Sequence, residues 1–171
     1  MVAASRKHDL ENAVVRLHQG LAALRAAAAA VTVPVTPEMA RGVQSTENAW
    51  RAMEAEFPFL SAREVGDLLG STSGNVSSFA TDRRRAGTLL GIKRRNAYLY
   101  PAFQFNVELR AVRPVVPRLL RMANRLDVPS ADLAQWLCAP TGQLDDRRPV
   151  DLLDEEDVVV QAAENHYGVQ W

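Results

Sequence analysis

The sequence contains one cysteine, Cys138, among its 171 residues. A single thiol can form neither an intramolecular disulfide nor a cysteine-based zinc site, so we interpret Cys138 as a small core residue. The three histidines, His8, His18 and His166, lie too far apart in sequence to suggest a metal site. The sequence also lacks a phosphate-binding loop, a nucleotide-binding glycine run and a nucleophile elbow. We therefore expect no metal, no cofactor and no enzymatic activity.

Long apolar runs are also absent. No stretch approaches the roughly 20 apolar residues of a membrane-spanning helix, and no apolar segment directly follows the charges near the N-terminus. Apolar residues nevertheless make up 47% of the chain, enough for a real core. We expect a cytoplasmic protein without membrane association, formed of one domain or of two very small ones.

The net charge is zero, but the charges are unevenly distributed. Residues 61–126 carry 12 Lys and Arg against 4 Asp and Glu, a net of +8. Residues 127–171 carry 2 against 10, a net of −8. A basic central segment suits a polyanion such as DNA, whereas the acidic end suits a basic protein surface or simply solubility.

Residues 1–57 predict a helical hairpin. Apolar residues recur there at alternating spacings of about four and three, as on the seam of a coiled coil: Leu10, Val14, Leu17, Leu21, Leu24, Ala28 and Val31. A second helix should begin after Thr36 as N-cap, with Pro37 at its first position. Its apolar face is formed by Met39, Val43, Trp50, Met53 and Phe57. The hairpin either packs on the rest of the chain or forms a homodimer.

Residues 58–112 predict a winged helix-turn-helix. Ser61 and Glu64 have the spacing of a capping box at the start of the first helix. Gly70 opens the turn, and a second helix follows from about Ser73. Two short strands, Leu89–Lys93 and Tyr98–Tyr100, then form a β-hairpin wing around Asn96, which tolerates a left-handed turn.

Short polar side chains and arginines on the second helix suit base edges and phosphates, respectively, and a basic wing tip suits the DNA backbone or minor groove. The predicted DNA contacts are Asn75, Ser77, Ser78, Arg83, Arg84, Arg85, Lys93, Arg94 and Arg95. The alternative is a helical pair and hairpin that bind nothing.

Residues 113–171 predict a small helical domain. One helix contains Leu119, Met122 and Leu126, and another follows Ser130 as N-cap. The last helix should begin near Asp154, with carboxylates in its first turn, where they meet the positive end of the helix dipole. The fold class expected for the whole chain is mainly α with one short β-hairpin.

The C-terminal segment "VPSADLAQWLCAPTGQLDDRRPVDLL" resembles the toxin-binding domain of the Xre/MbcA/ParS antitoxin family. In that pattern a helix ending near a tryptophan is followed by a loop, a short Arg-Pro-x-Asp-Leu-Leu element and a terminal helix. The likeness extends over about residues 58–171. Residues 1–57 have no counterpart in it, and the winged form of the centre differs from the all-helical Xre form.

The resemblance implies an antitoxin that occludes the active site of a NAD-consuming RES-domain toxin and represses its own operon by binding operator DNA, within a homodimer or a larger hetero-oligomer. The toxin-binding residues it implies are Trp136, Arg148, Pro149, Asp151, Tyr167 and Trp171. Tyr167 and Trp171 either plug the toxin's pocket or fold back on their own chain. For Arg148 and Asp151 we favour a role in stabilising the local fold, by capping and ion pairing, over direct contact with the toxin.

Two other functions stay open from the sequence. The first is a stand-alone DNA-binding transcription regulator whose C-terminal region is an oligomerisation module. The second is a structural adaptor in which the helix-turn-helix no longer binds DNA.

Overall fold

The computed structural model describes residues 18–21, 36–71, 76–94 and 96–168, with the side chains of residues 76 and 77 left out. The longer helices are α1 (Pro37–Glu56), α2 (Ala62–Leu68), α3 (Val76–Arg85), α4 (Val115–Arg125), α5 (Ser130–Cys138) and α6 (Glu156–Tyr167). The strands are β1 (Phe59–Leu60), β2 (Ile92–Arg94), β3 (Ala97–Pro101), β4 (Phe105–Asn106) and β5 (Ala111–Val112). Short 3-10 helices span Ala102–Gln104, Gly142–Leu144 and Pro149–Leu152. The prediction of a mainly α fold with a small β component is confirmed.

The chain divides into two compact units, residues 1–44 and residues 45–171, with the boundary inside α1. In the first unit, Thr36 caps α1 as predicted, since its hydroxyl accepts a hydrogen bond from the Met39 amide at 3.3 Å. Met39 and Val43 are exposed there. Apart from residues 18–21, which are helical, the predicted first helix of the hairpin lies outside the described residues. The hairpin and its dimer seam therefore stay predictions.

The second unit begins with the buried end of α1, where Trp50 and Met53 enter the core. Trp50 meets the ring of Phe59 edge-on at 6.2 Å between centroids. Strand β1, which the sequence did not predict, pairs antiparallel with β3 and places Leu60 opposite Tyr100. Because β3 also pairs with β2, the sheet has the order β1-β3-β2.

The helix-turn-helix lies between β1 and β2 in the chain. The predicted capping box at the start of α2 is confirmed: the Glu64 amide donates to the Ser61 hydroxyl, and the Ser61 amide donates to the Glu64 carboxylate. Gly70 has φ +69°, a left-handed conformation that ends α2 at little cost for glycine. Helix α1, strand β1, helices α2 and α3 and the β2–β3 hairpin thus follow one another in the order of a winged helix. Residues 72–75, which link α2 to α3, lie outside the described residues.

The C-terminal helices share a core with the wing. Leu90, Ile92 and Phe103 belong to the same buried apolar cluster as Leu119 of α4 and Leu133 of α5. Burying such side chains contributes about 1.5–3 kcal/mol each. The wing and section 113–171 are therefore joined by one apolar cluster, whereas the helix-turn-helix packs on a second cluster formed by Val65, Ala80, Leu89, Tyr100 and Phe105.

One predicted helix boundary is wrong. Pro129, with extended backbone angles, is the N-cap of α5, and Ser130 is the first helical residue, not the cap. Proline tolerates this position because the first amides of a helix have no intrahelical acceptor. At α6, Glu156 and Asp157 lie in the first turn, in keeping with the predicted dipole interaction.

Arg148 joins the end of α1 to the Pro149–Leu152 turn. Its guanidinium donates to both carboxylate oxygens of Glu56 at 2.7 and 2.8 Å, and to both oxygens of Asp151 at 2.9 and 2.7 Å. These hydrogen bonds from Arg148 lower the pKa of Glu56 and of Asp151 below their ordinary values. Glu56 and Arg148 are 92 residues apart in sequence, so their ion pair joins two distant segments of the chain.

We expect this cluster to make the fold acid-labile. The folded pKa values of both carboxyls are lowered, so their contribution is complete above the ordinary values near 4.5 and 3.8 and is lost as the pH falls through the folded values. Arg148→Met should lower the melting temperature near neutral pH and flatten its dependence on pH below about 4.5. Thermal denaturation followed by circular dichroism between pH 3 and pH 7 measures both effects. A variant whose melting curve keeps the parental pH dependence would contradict this account.

Among the described residues, no helix is long and apolar enough to cross a membrane. The same part of the chain contains no group of three or more His, Cys, Asp or Glu side chains placed to hold a metal ion.

Candidate nucleic-acid interface

Helix α3 is the second helix of the helix-turn-helix, the element that enters the major groove in proteins of this architecture. Ala80 is buried against the rest of the unit, whereas Asp82, Arg83 and Arg85 are exposed. Ser78 is half-buried. Asn75 and the side chain of Ser77 lie outside the described part, so their predicted base contacts stay predictions.

Arg83 and Arg85 extend from the last turn of α3. The Arg83 guanidinium lies 4.7 Å from the centroid of the Phe79 ring, one helical turn earlier. Neither arginine forms an ion pair with a carboxylate of the described residues. Both guanidinia are therefore accessible to an external anion.

Arg84 has a different environment from its two neighbours. Its guanidinium lies over the Tyr98 ring at 3.8 Å from the centroid, a cation–π contact between α3 and the sheet. Its Nε is buried with no hydrogen-bond partner in the described structure. Burial raises the pKa of Tyr100, and the nearby Arg84 guanidinium opposes that rise. Of the three predicted phosphate-binding arginines, Arg84 is the one that helps to hold α3 on the sheet.

Gly91 makes this arrangement possible. A Cβ atom at position 91 would lie 2.5 Å from Cδ of Arg84 and 3.1 Å from Cε1 of Tyr100. The absence of a side chain at Gly91 therefore allows Arg84 to reach Tyr98, a requirement that the sequence alone did not reveal.

Gly91→Ala should therefore push Arg84 off the Tyr98 ring. We expect a loss of about 1–3 kcal/mol in the free energy of unfolding, the usual cost of overpacking a well-packed site. Urea denaturation measures this loss. Gly142→Ala is the matched control, because a Cβ atom there would meet nothing within 4 Å. Equal stability of the two variants would contradict the assigned packing.

In the described part of the wing, one cationic side chain forms no ion pair. This side chain is that of Lys93, which is exposed. Arg94 pairs with Glu47 of α1 at 3.3 Å and lies 5.2 Å from the centroid of the Trp50 ring, so it fixes the wing to α1. Arg95, at the predicted wing tip, lies outside the described residues.

A groove of about 320 Å³ lies beside the end of α3. Its charged lining residues are three arginines, Arg84 and Arg85 from α3 and Arg121 from α4, and it contains no carboxylate. Asn124 and Ser130 add neutral polar groups. The sequence placed Arg121 in the basic segment, but nothing in its spacing indicated that α4 would lie beside α3.

The residues implied for toxin binding are mostly engaged within the fold. Trp136 and Pro149 are buried, and Arg148 and Asp151 belong to the ion-pair cluster with Glu56. Trp171 lies outside the described residues.

Tyr167 packs on its own chain. Its ring meets the Trp136 ring at 6.0 Å between centroids, and its hydroxyl donates a hydrogen bond to the Asp132 carbonyl at 3.2 Å. Burial raises the pKa of this hydroxyl to about 12. The Tyr167 side chain thus occupies a place within the C-terminal helices.

The part of the chain that the comparison covers has a fold similar to that of a solved protein. The NMR structure of Rv2175c matches 64% of this chain and 81% of that protein's chain, with a TM-score of 0.56 and 24% sequence identity. A likeness at this identity shows a common fold. No protein-family model matches the chain, and comparison with curated proteins finds no relative.

Proposed function

We propose that this chain is a cytoplasmic DNA-binding protein that regulates transcription. In this proposal α3 enters the major groove, Arg83 and Arg85 contact phosphates, and the wing brings Lys93 to the adjacent backbone. The observation that carries the proposal is the winged helix-turn-helix arrangement, whose exposed Arg83, Arg85 and Lys93 have no carboxylate partner in the described part of the chain.

Charge placement supports this proposal further. Five other arginines of the described second unit are paired with carboxylates, as in the pairs Arg118–Asp157 at 2.6 Å and Arg125–Glu164 at 2.7 Å. Exposed arginines without such partners retain their full attraction for phosphates, because no internal pair has to be broken first. The C-terminal helices, which share the core of the wing, support the DNA-binding half.

The salt dependence of DNA binding tests the proposal. If four to six phosphates are contacted, the affinity for a labelled duplex should fall by roughly 10²–10³ between about 50 and 200 mM salt. Fluorescence anisotropy measures this dependence. Absence of binding at the lower salt concentration would exclude the DNA-binding function and favour the structural adaptor.

The antitoxin function is a second proposal, which rests on the family resemblance of the C-terminal segment. One structural feature is compatible with it: the Arg-Pro-Val-Asp-Leu-Leu element forms a compact turn, Pro149–Leu152, between α5 and α6. Because Tyr167 is engaged on Trp136, a plug would have to be formed by the residues that follow the helix.

Co-expression with neighbouring reading frames tests this second proposal. A co-purifying partner that consumes NAD only after separation from this chain would support it. Truncation after Gly168 keeps Tyr167 in place and should abolish neutralisation while DNA binding persists. If the truncated chain still neutralises the partner, the terminal residues are not the plug.

A further inference from the structure

The groove beside α3 differs from the other basic surfaces of helix α4. Arg118 and Arg125 are seven residues apart on one face of α4 and form ion pairs with α6, to Glu156 and Asp157 and to Glu164, respectively. Arg121 forms no ion pair with any carboxylate in the described ranges. It instead lines the groove together with Arg85 of α3.

The chemistry of this groove suits a phosphate group. A guanidinium is permanently charged and presents a planar fork of donors that matches phosphate oxygens. Two exposed guanidinia, from Arg85 and Arg121, face one groove that contains no competing carboxylate. Asn124 and Ser130 place an amide and a hydroxyl, both possible donors, in the same lining.

We propose that this groove binds a backbone phosphate of DNA next to the segment contacted by α3, with Arg121 as its main ligand. The inference rests on the proposed DNA-binding function and extends the contact surface from the winged helix onto α4.

The position of the groove favours a polymer over a free anion. Arg84 and Ser130 line both this groove and a neighbouring depression that contains Lys93 of the wing. The groove and the wing therefore form one continuous basic strip. The repeated phosphates of a DNA strand can bind along the whole strip, whereas a small anion would bind at only one position on it.

A charge-matched pair of variants tests this inference. Arg121→Ala should weaken binding to specific and random duplexes alike, by roughly tenfold at low salt, and should reduce the slope of log K against log salt concentration by about 0.9. Arg125→Ala removes the same charge from the same helix and should change neither quantity. Fluorescence anisotropy across a salt series measures both, and circular dichroism verifies that each variant is folded.

Neutral phosphate substitution locates the contact on the DNA. We would use a set of duplexes, each with one methylphosphonate at a different position. At one position the substitution should weaken DNA binding by the parental protein and leave binding by Arg121→Ala unchanged. Such a position would identify the phosphate that Arg121 contacts.

The outcomes separate this inference from the proposed function. If the parental protein binds DNA and Arg121→Ala binds with the same affinity and slope, the groove is not part of the interface, although the DNA-binding function stands. If Arg121→Ala and Arg125→Ala weaken binding equally, the effect is one of general charge and the groove assignment is overturned.

If inorganic phosphate shifts the Asn124 amide resonance but no methylphosphonate position distinguishes the variants, the groove holds a free anion, which also overturns the groove assignment. If the parental protein binds no DNA, both proposals fail together.

Discussion

Replacing both Arg83 and Arg85 by alanine should lower the affinity for DNA by about 100-fold at moderate salt, equivalent to about 2.8 kcal/mol. Both side chains are exposed at the end of α3 and have no carboxylate partner in the described part, so each can contact a phosphate. The salt slope should fall by about two units, because one counterion is released for roughly every phosphate neutralised. Anisotropy titrations over a salt series measure affinity and slope together.

The matched control is Arg118→Ala combined with Arg125→Ala. This pair removes the same charge from α4, where both arginines form ion pairs with α6. We expect a decrease in affinity below about threefold, because both guanidinia are already paired with carboxylates of α6 and are not free to contact a phosphate. Equal losses in the two double variants would show that net charge, and not the end of α3, determines binding.

Gln104→Leu should lower the free energy of unfolding by about 3–5 kcal/mol, because several buried backbone groups would lose their partner. Gln104 is fully buried. Its side-chain oxygen accepts from the Leu90 amide at 2.8 Å, and its side-chain nitrogen donates to the carbonyls of Leu90 and Pro101 at 2.9 and 3.0 Å. The Gln104 side chain thus bonds both backbone groups of Leu90, as a neighbouring strand would, and fixes the residues that lead into the wing. A loss of this size is a large part of a typical domain stability of about 5–15 kcal/mol.

Urea denaturation of Gln104→Leu and of the exposed control Gln143→Leu measures this effect. If Gln104→Leu does not fold, Gln104→Glu provides a second measurement. Its carboxyl can donate a hydrogen bond only when protonated, so this variant should become more stable relative to the parental protein as the pH is lowered. A change below about 1 kcal/mol in Gln104→Leu would contradict the assigned role.

The sequence predicts the local parts of this fold well. The Thr36 cap, the Ser61–Glu64 capping box and the wing hairpin depend on residues close in sequence, and the structure contains all three. The bounds of the first wing strand were predicted wrongly, since it spans Ile92–Arg94 and not Leu89–Lys93. Strand β1 was not predicted, because two residues, Phe59 and Leu60, are too few to show an alternating pattern.

The roles of individual side chains depended on contacts that sequence spacing cannot reveal. Arg83, Arg84 and Arg85 are chemically identical neighbours, yet only the fold places Arg84 over Tyr98. Arg94 meets Glu47 across 47 positions of the chain. Arg121 joins the candidate interface because α4 lines the groove at the end of α3, and no local pattern predicts that arrangement.

The most direct test of the central claim is selection of DNA fragments from a random duplex library by the full chain, followed by sequencing. A winged helix that reads base edges through α3 should enrich a common short motif, and the Arg83→Ala, Arg85→Ala double variant should retain little DNA. If the parental chain enriches no motif and retains no more DNA than the double variant, this chain is not a sequence-specific DNA-binding protein.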